Sequence, residues 1–304
     1  MKNSLKYYYN IYPNKIFKNS NVIYFYIEDI KYYLIPFNRS IDDLNALIEL
    51  TNKLYLKGVK VHTFIESKEN KFYFENGDQK YVLLRVNTNE NEKLDIYDII
   101  KFNNMEIVNN NSKLNSATWI TRWENTVDSF EKQVSELNKE YPNLLSVFDY
   151  YVGLAENAIS YIKNIDLKDR QFYLSHKRIK FPLTTGLLYN PIGFVFDYKV
   201  RDLSEYIKES FFYDSIDEEE ILKVIDENIE YYSLDDIKLL YGRLLYPTYY
   251  FDLFEGVLNK EKTEVELEKI RNISEQYELF LKELYYNLKA KYNIEPIDWI
   301  VNKE

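Results

Sequence analysis

Between Phe172 and Ile207 the chain reads FYLSHKRIKFPLTTGLLYNPIGFVFDYKVRDLSEYI. His176 closes an apolar run, a basic loop follows, and a second apolar stretch, Ile192 to Phe196, ends in Asp197, after which Arg201-Asp202 opens a helical pattern. A carboxylate at the end of a buried strand is placed to hold a divalent cation. A loop following a His is where phosphoryl transfer to a hydroxyl is run, by an Asp two residues after the His and an Asn shortly beyond. Here those two places hold Arg178 and Leu183. The order is that of a phosphotransfer site, with two of its operating residues replaced. On residue type alone, Asp197 also reads as a turn or cap residue and His176 as a satisfied core side chain. His62 is the only other His and there is no Cys, so a His- or Cys-based metal site or a Ser-His-Asp triad has little material.

The elements that must position these residues follow from periodicity. Val22 to Ile27 and Lys31 to Phe37 are β-branched and aromatic runs flanking Glu28-Asp29-Ile30, a hairpin pattern. Phe72 to Phe74 and Tyr81 to Val86 flank Glu75-Asn76-Gly77-Asp78, where Asn-Gly predicts a tight turn because both positions tolerate positive φ. Between the hairpins, Leu44, Leu47, Ile48, Leu50, Leu54 and Tyr55 mark a helix over Ile41 to Leu56. Polar Asn87 to Lys93 follows as a hinge, and the Asn-rich stretch Asn103 to Ser116 predicts a loop. From Trp119 on the pattern is helical almost throughout. Phe148, Tyr151, Val152, Ala155, Ala158, Ile159 and Ile162 predict a helix with one buried face at the centre of this part. Leu203, Tyr206, Ile207 and Phe211 repeat the pattern after Asp202, read as a helix-initiating acid. Further helices are expected near 219 to 230, 234 to 257 and 263 to 290, with Pro247 breaking or kinking the middle one.

Six blocks carry a wider likeness: YYVGLAENAISYI (Tyr150 to Ile162), LSHKRI (Leu174 to Ile179), FVFDYKVRDLSEYI (Phe194 to Ile207), LLYGRLLYPTYYFD (Leu239 to Asp252), SEQYELFL (Ser274 to Leu281) and EPIDWI (Glu295 to Ile300). In these blocks and their order the chain resembles the kinase-like spore-coat proteins of endospore-forming Firmicutes, relatives of the aminoglycoside phosphotransferases, in the divergent branch that lacks the catalytic Asp. The likeness covers most of the C-terminal two-thirds; the N-terminal third matches in layout. It implies an α+β, two-lobed protein-kinase-like (aminoglycoside-phosphotransferase-like) fold, with a small β-rich N-lobe over 1–88 and a large helical C-lobe over 89–304. It also implies that Asp197 stands at the Mg²⁺-binding position, that His176 is the catalytic-loop His packed beneath the loop, and that Arg178 occupies the place of the catalytic Asp.

Arg178 decides most, because a guanidinium stays protonated and cannot accept a proton as a carboxylate base does. One expectation is that Arg178, helped by Lys177 or Lys180, pairs with Asp197 and takes the place of the metal's charge; the other is a solvated basic loop. No Gly precedes Gly58, so the first hairpin cannot be a glycine-rich phosphate cradle. The strand Tyr32 to Phe37 lacks the phosphate-contacting Lys, with Lys31 only just before it, and Glu49 then reads as a solvated helix residue rather than its ion-pair partner.

Composition sets the remaining bounds. The 304 residues, 46% hydrophobic and 29% charged, are enough for two lobes of globular character. A net charge of −10 excludes a broad electrostatic footprint for nucleic acid or anionic lipid. There is no disulfide framework, no signal-peptide core at the N-terminus and no run near the roughly 18 apolar residues of a membrane span. Asp214 to Asp236 holds ten carboxylates against Lys223, read as an amphipathic helix with a solvated acidic face. The 31 Tyr read as packing residues, with oxidative crosslinking in a coat as the functional alternative.

The resemblance, together with the departures at Arg178 and in the first hairpin, implies a sporulation or spore-coat-associated kinase-like protein that is a catalytically inactive pseudokinase, acting as a structural or interaction component. The resemblance implies a soluble protein made in the mother-cell cytoplasm, assembled into the coat without secretion, with other coat or sporulation proteins as partners and neither nucleic acid nor membrane. Two alternatives stand beside it. One is a phosphotransferase using ATP and Mg²⁺ at an unorthodox site, with Asp202 or Glu205 replacing the missing base; the other is a nucleotide-sensing pseudokinase.

Overall fold

The alternating apolar residues of the first third fold into one antiparallel sheet. The computed structural model describes residues 1–19, 22–108, 113–116, 118–137, 140–167, 170–214 and 218–302. The chain divides into two units, the first comprising Met1–Leu94, Asn111–Leu114 and Thr184–Val195. Its sheet has the order β1 (Ile16–Asn19), β2 (Val22–Ile27), β3 (Ile30–Pro36), β6 (Gln79–Arg85), β4 (Thr63–Phe64), with β5 (Phe74–Asn76) also paired to β6, every pairing antiparallel. The opening helical turn α1 (Lys2–Ser4) runs into a π turn, Leu5–Tyr9. Leu5 then joins Phe25, Leu34, Phe74 and Leu83 in a buried cluster against which Tyr8 and Tyr81 pack.

Both hairpins form, and each turn is a two-residue loop. Ile27 faces Ile30 across Glu28-Asp29, with Glu28 held at φ +53°. Asn76 faces Gln79, so the second turn is Gly77-Asp78, one residue later than the Asn-Gly reading, with Gly77 at φ +61° in the first position that favours Gly. The helix α2 is Ile41–Leu56, started by Ser40, whose hydroxyl accepts from Asp43 N at 3.0 Å. The short α7 (Thr185–Leu188) also belongs to this unit. Strand β1 was not expected from sequence, because four residues including Lys18 and Asn19 carry little apolar alternation. The connection from β1 to β2, residues 20–21, lies outside the described residues.

The second unit comprises Asp95–Asn110, Asn115–Leu183 and Phe196–Glu304. Its helices are α3 (Ile96–Asn103), α4 (Trp119–Glu136), α5 (Pro142–Ser146), α6 (Phe148–Lys163), α8 (Arg201–Tyr213), α9 (Glu218–Asn228), α10 (Leu234–Leu245), α11 (Thr248–Leu258), α12 (Glu266–Tyr292) and α13 (Asp298–Val301). The small sheet has the order β7 (Ile107–Val108), β8 (Phe172–His176), β9 (Phe194–Asp197), and Phe196 and Asp197 fall in this unit. The loop expected over 103–116 therefore contains a helix end and β7; residues 109–112 lie outside the described residues. All seven apolar residues expected on the face of α6 are buried, and α6 packs against α10 and α4. A Cβ at Gly242 would stand 2.5 Å from Ile162 Cγ1, so a residue without one lets α10 approach α6 this closely. Pro247 separates α10 from α11. In α9, Ile221, Val224 and Ile225 face inward while the acids face out; residues 215–217 of the acidic tract lie outside the described residues. Among the described residues no helix is long and apolar enough to cross a membrane.

Candidate functional site

Strands β8 and β9 are neighbours, so their C-terminal ends deliver His176 and Asp197 to one edge, and α8 starts four residues after Asp197. Arg201 joins these ends: Nη1 donates to Asp197 Oδ2 at 2.6 Å, Nε to the His176 carbonyl at 2.7 Å and Nη2 to the Lys177 carbonyl at 2.7 Å. Asp197 Oδ1 accepts from Trp119 Nε1 at 3.0 Å and from the Tyr198 backbone N–H at 2.7 Å. Burial works against the Arg201 charge, but Asp197, Glu205 and Asp202 outweigh it and raise its pKa.

The neighbouring carboxylate, Asp202, is fully buried. It lies in the first turn of α8, where a helix-initiating acid was expected, and its side chain is also turned to β8: it accepts from the His176 backbone N–H at 2.9 Å and lies 2.7 Å from His176 Nδ1. Asn103 completes this layer by donating to the Leu174 carbonyl at 2.7 Å. His176 also packs against Phe102, with ring centroids 4.7 Å apart. Its surroundings are those of an architectural residue beneath a loop.

Arg178 does not pair with Asp197. Its guanidinium reaches Asp252 of α11 at 2.9 Å, and Lys180 stands 3.3 Å from the same carboxylate. The cation on Asp197 is Arg201, which is tethered to the carboxylate's own neighbourhood through two main-chain carbonyls. The Asp197 setting does not fit a divalent cation, because both carboxylate oxygens are taken by donors and a guanidinium stands at hydrogen-bond distance. Among the described residues no three His, Asp or Glu side chains converge as metal ligands.

Beside these residues the helical unit has a cleft of about 600 Å³, walled by α4, the start of the loop after β8, α8, α10 and α11. Trp123 stacks on Tyr246 with centroids 3.7 Å apart and planes at 8°, and Trp119 lies 4.6 Å from Trp123. Arg243 of α10 places its guanidinium carbon 4.3 Å from the Trp119 ring centroid and donates to Ser204 Oγ at 3.0 Å and to Glu205 at 3.3 Å. Lys208 meets the same Glu205 oxygen at 3.1 Å. Burial would raise the Glu205 pKa, but Lys208, Arg243 and Arg201 outweigh it and bring it down to about 2. Sequence reasoning missed Arg243 and Lys208. The available signal was Arg243 itself, a lone cation inside the apolar run LLYGRLLY, since Arg is almost never buried without a partner.

In the first unit, Lys31 is the second residue of β3, and its ammonium is bonded to Glu90 at 2.7 Å and to Tyr33 OH at 2.9 Å. Burial would lower the Lys31 pKa, but the bonds to Glu90 and Tyr33 raise it. Glu49, mid-way along α2, is exposed, in line with the solvated reading. His62 is fully buried with Nε2 3.8 Å from Glu90, and burial, opposed by Glu90, lowers its pKa to about 4.

The fold is that of the aminoglycoside phosphotransferases: α+β, with a β-rich N-lobe and a helical C-lobe. An aminoglycoside phosphotransferase from Alicyclobacillus acidocaldarius matches with a TM-score of 0.66 over 91% of this chain and 93% of that one, at 11% identity. Amicoumacin kinase hAmiN, solved with AMP-PNP, Ca²⁺ and Ami, matches with a TM-score of 0.59 over 97% and 93%, also at 11% identity. The profile of the family described as "Spore coat putative kinase YutH" matches residues 2–284, and the chain belongs to that family. The endospore coat-associated protein YutH of Bacillus subtilis (strain 168) is 28% identical over 206 residues, 60% of this chain. That alignment spans 61% of the relative's length.

Proposed function

We propose that this chain is a non-catalytic, kinase-like component of the spore coat, made in the mother cell and working through its surfaces on other coat proteins. The observation that carries the reading is the Arg201–Asp197 pair at 2.6 Å, with Trp119 on the second carboxylate oxygen. It supports the reading because, by the resemblance, Asp197 stands where a phosphotransferase keeps its metal, and here that carboxylate already carries a cation built into the fold. Arg178 adds to it by standing two residues after His176, where the nucleophile-orienting Asp belongs. Neither acid considered as a replacement base fits that role. Asp202 is committed to His176, and Glu205, held near 2 by its cationic neighbours, is a poor proton acceptor at neutral pH. The coat assignment rests on the family and on the name of the Bacillus relative.

Thermal unfolding of the purified chain with and without millimolar ATP and Mg²⁺ tests this, since a ligand that binds only the folded state raises its stability. No shift is expected for wild type or for Asp197→Asn. A rise of several degrees in wild type that Asp197→Asn abolishes would overturn the reading in favour of an enzyme or a nucleotide sensor.

A further inference from the structure

We propose that the cleft of the helical unit is a binding site for a small organic anion, a carboxylate or phosphate carried on an aromatic or apolar body. Its volume of about 600 Å³ lies in the range of small-molecule sites. The inference uses the cleft's own residues and stands or falls separately from the non-catalytic reading.

Charge is the first argument. The chain carries −10 overall, yet five cations, Arg122, Lys177, Arg178, Arg201 and Arg243, line this cleft against Glu205, Asp252 and Glu255. Arg201 is already paired with Asp197, and two of the lining carboxylates are shared between cations: Glu205 by Lys208 and Arg243, Asp252 by Arg178 and Lys180. A local excess of positive charge in a concave, part-apolar site focuses anions there.

The second argument is an unspent donor. Arg243 is 2% exposed, and its Nη1 has no hydrogen-bond partner among the described residues, although Nε and Nη2 are both engaged. Leaving a charged buried donor unmade is costly, and an anion in the cleft would accept from it. The hydroxyl of Tyr246, another residue lining the cleft, is likewise buried and without a hydrogen-bond partner among the described residues. Arg122, on the α4 wall, donates to Ser116 and Thr118 oxygens and is held by neutral groups in those contacts.

The aromatic wall supplies the third. Trp119, Trp123, Tyr246, Phe130 and Phe251 all line the cleft, and a wall of rings beside a few placed cations selects a flat or apolar body bearing an acid group. An aminoglycoside-type polycation would meet the wrong charge here, so the ligand class differs from that in the name of the A. acidocaldarius structural relative.

The test is isothermal titration of the full chain, without nucleotide or metal, using benzoate and phenyl phosphate, with inorganic phosphate and benzylamine as controls. Saturable one-to-one binding of at least one aromatic anion is expected, accompanied by a change in Trp fluorescence and weakened by added salt. Arg243→Gln should lose about tenfold or more in affinity, the scale of a charge-assisted hydrogen bond. Because that buried variant can fail to fold, Arg122→Ala and Lys177→Ala, both at exposed positions, are tested in parallel, with several-fold losses expected from their combination. The proposal is overturned if neither aromatic anion binds, if benzylamine binds as well as they do, if inorganic phosphate alone binds as tightly as phenyl phosphate, or if the Arg122→Ala/Lys177→Ala protein binds undiminished.

Discussion

Glu205→Gln is the most informative single substitution, because it leaves the shape of the helical unit intact and removes one charge from its buried cluster. In the folded chain Lys208 and Arg243 meet one Glu205 oxygen at 3.1 and 3.3 Å. The carboxyl pKa falls from 4.5 to about 2, with the cations Lys208, Arg243 and Arg201 overcoming the opposing effect of burial. At 1.36 kcal/mol per pH unit, that fall is worth about 3 kcal/mol at neutral pH. A carboxylate whose folded pKa is depressed contributes its stability above the unfolded value and loses it as pH falls through the folded value. The window here therefore runs from about 4.5 down to about 2. Removing one member of a buried ion pair costs about 3–5 kcal/mol, so two independent routes give the same scale. Urea unfolding followed by circular dichroism should show Glu205→Gln about 3–5 kcal/mol less stable than wild type at pH 7. The linkage relation narrows that gap by roughly 2–3 kcal/mol at pH 2.5. A gap that stays constant across this window would refute the idea that Glu205 is the charge anchor of the cluster.

Two further substitutions address the first unit. His62 titrates at about 4 instead of 6.5, chiefly because it is buried, so the folded chain binds its proton later than the unfolded one and stability declines as pH falls from about 6.5 to 4, by up to about 3 kcal/mol. His62→Gln, which keeps an acceptor for the Asn87 backbone N–H, should flatten that slope in urea unfolding between pH 4 and 7; an unchanged slope would place its origin elsewhere. Glu28 sits at φ +53° in the first turn, a backbone region that costs a side chain roughly 1–2 kcal/mol. Glu28→Gly should therefore raise the thermal midpoint by a degree or more, and a lowered midpoint would show that the Glu28 side chain contributes more than its backbone strain costs.

What was readable from sequence follows physical range. Helix α2 is placed over its observed residues, because its apolar stripe is a local signal. Pro247 marked a helix break for the same reason. The Asn-Gly turn was off by one residue because both Asn76-Gly77 and Gly77-Asp78 fit a tight turn, and only cross-strand register decides between them. Helix α8 was read as having one buried face, whereas Arg201, Asp202, Ser204, Glu205 and Lys208 are buried as well. Periodicity cannot reveal that, since burying a charged face depends on partners brought from other elements: Asp197 from β9, His176 from β8 and Arg243 from α10.

The same limit explains the misassigned arginine. Arg178 drew attention because it stands where a carboxylate was expected, yet its partner Asp252 lies 74 residues away. Arg201 stands four residues from Asp197, yet the sequence reading takes it only as the opening of a helix, because a strand end and a helix start separate the two. On the non-catalytic reading the two arginines have different consequences. Arg178 lies on an exposed loop, its side chain 50% exposed, and replacing it with Asp would restore the missing residue type without disturbing the core. Arg201 is buried and is bonded to the carbonyls of His176 and Lys177 as well as to Asp197. A chain carrying only the Arg178→Asp change would still have its Asp197 neutralised from within. On the non-catalytic reading, loss of phosphotransfer is therefore anchored in the packing of α8 against β8 and β9, and cannot be undone from the loop alone.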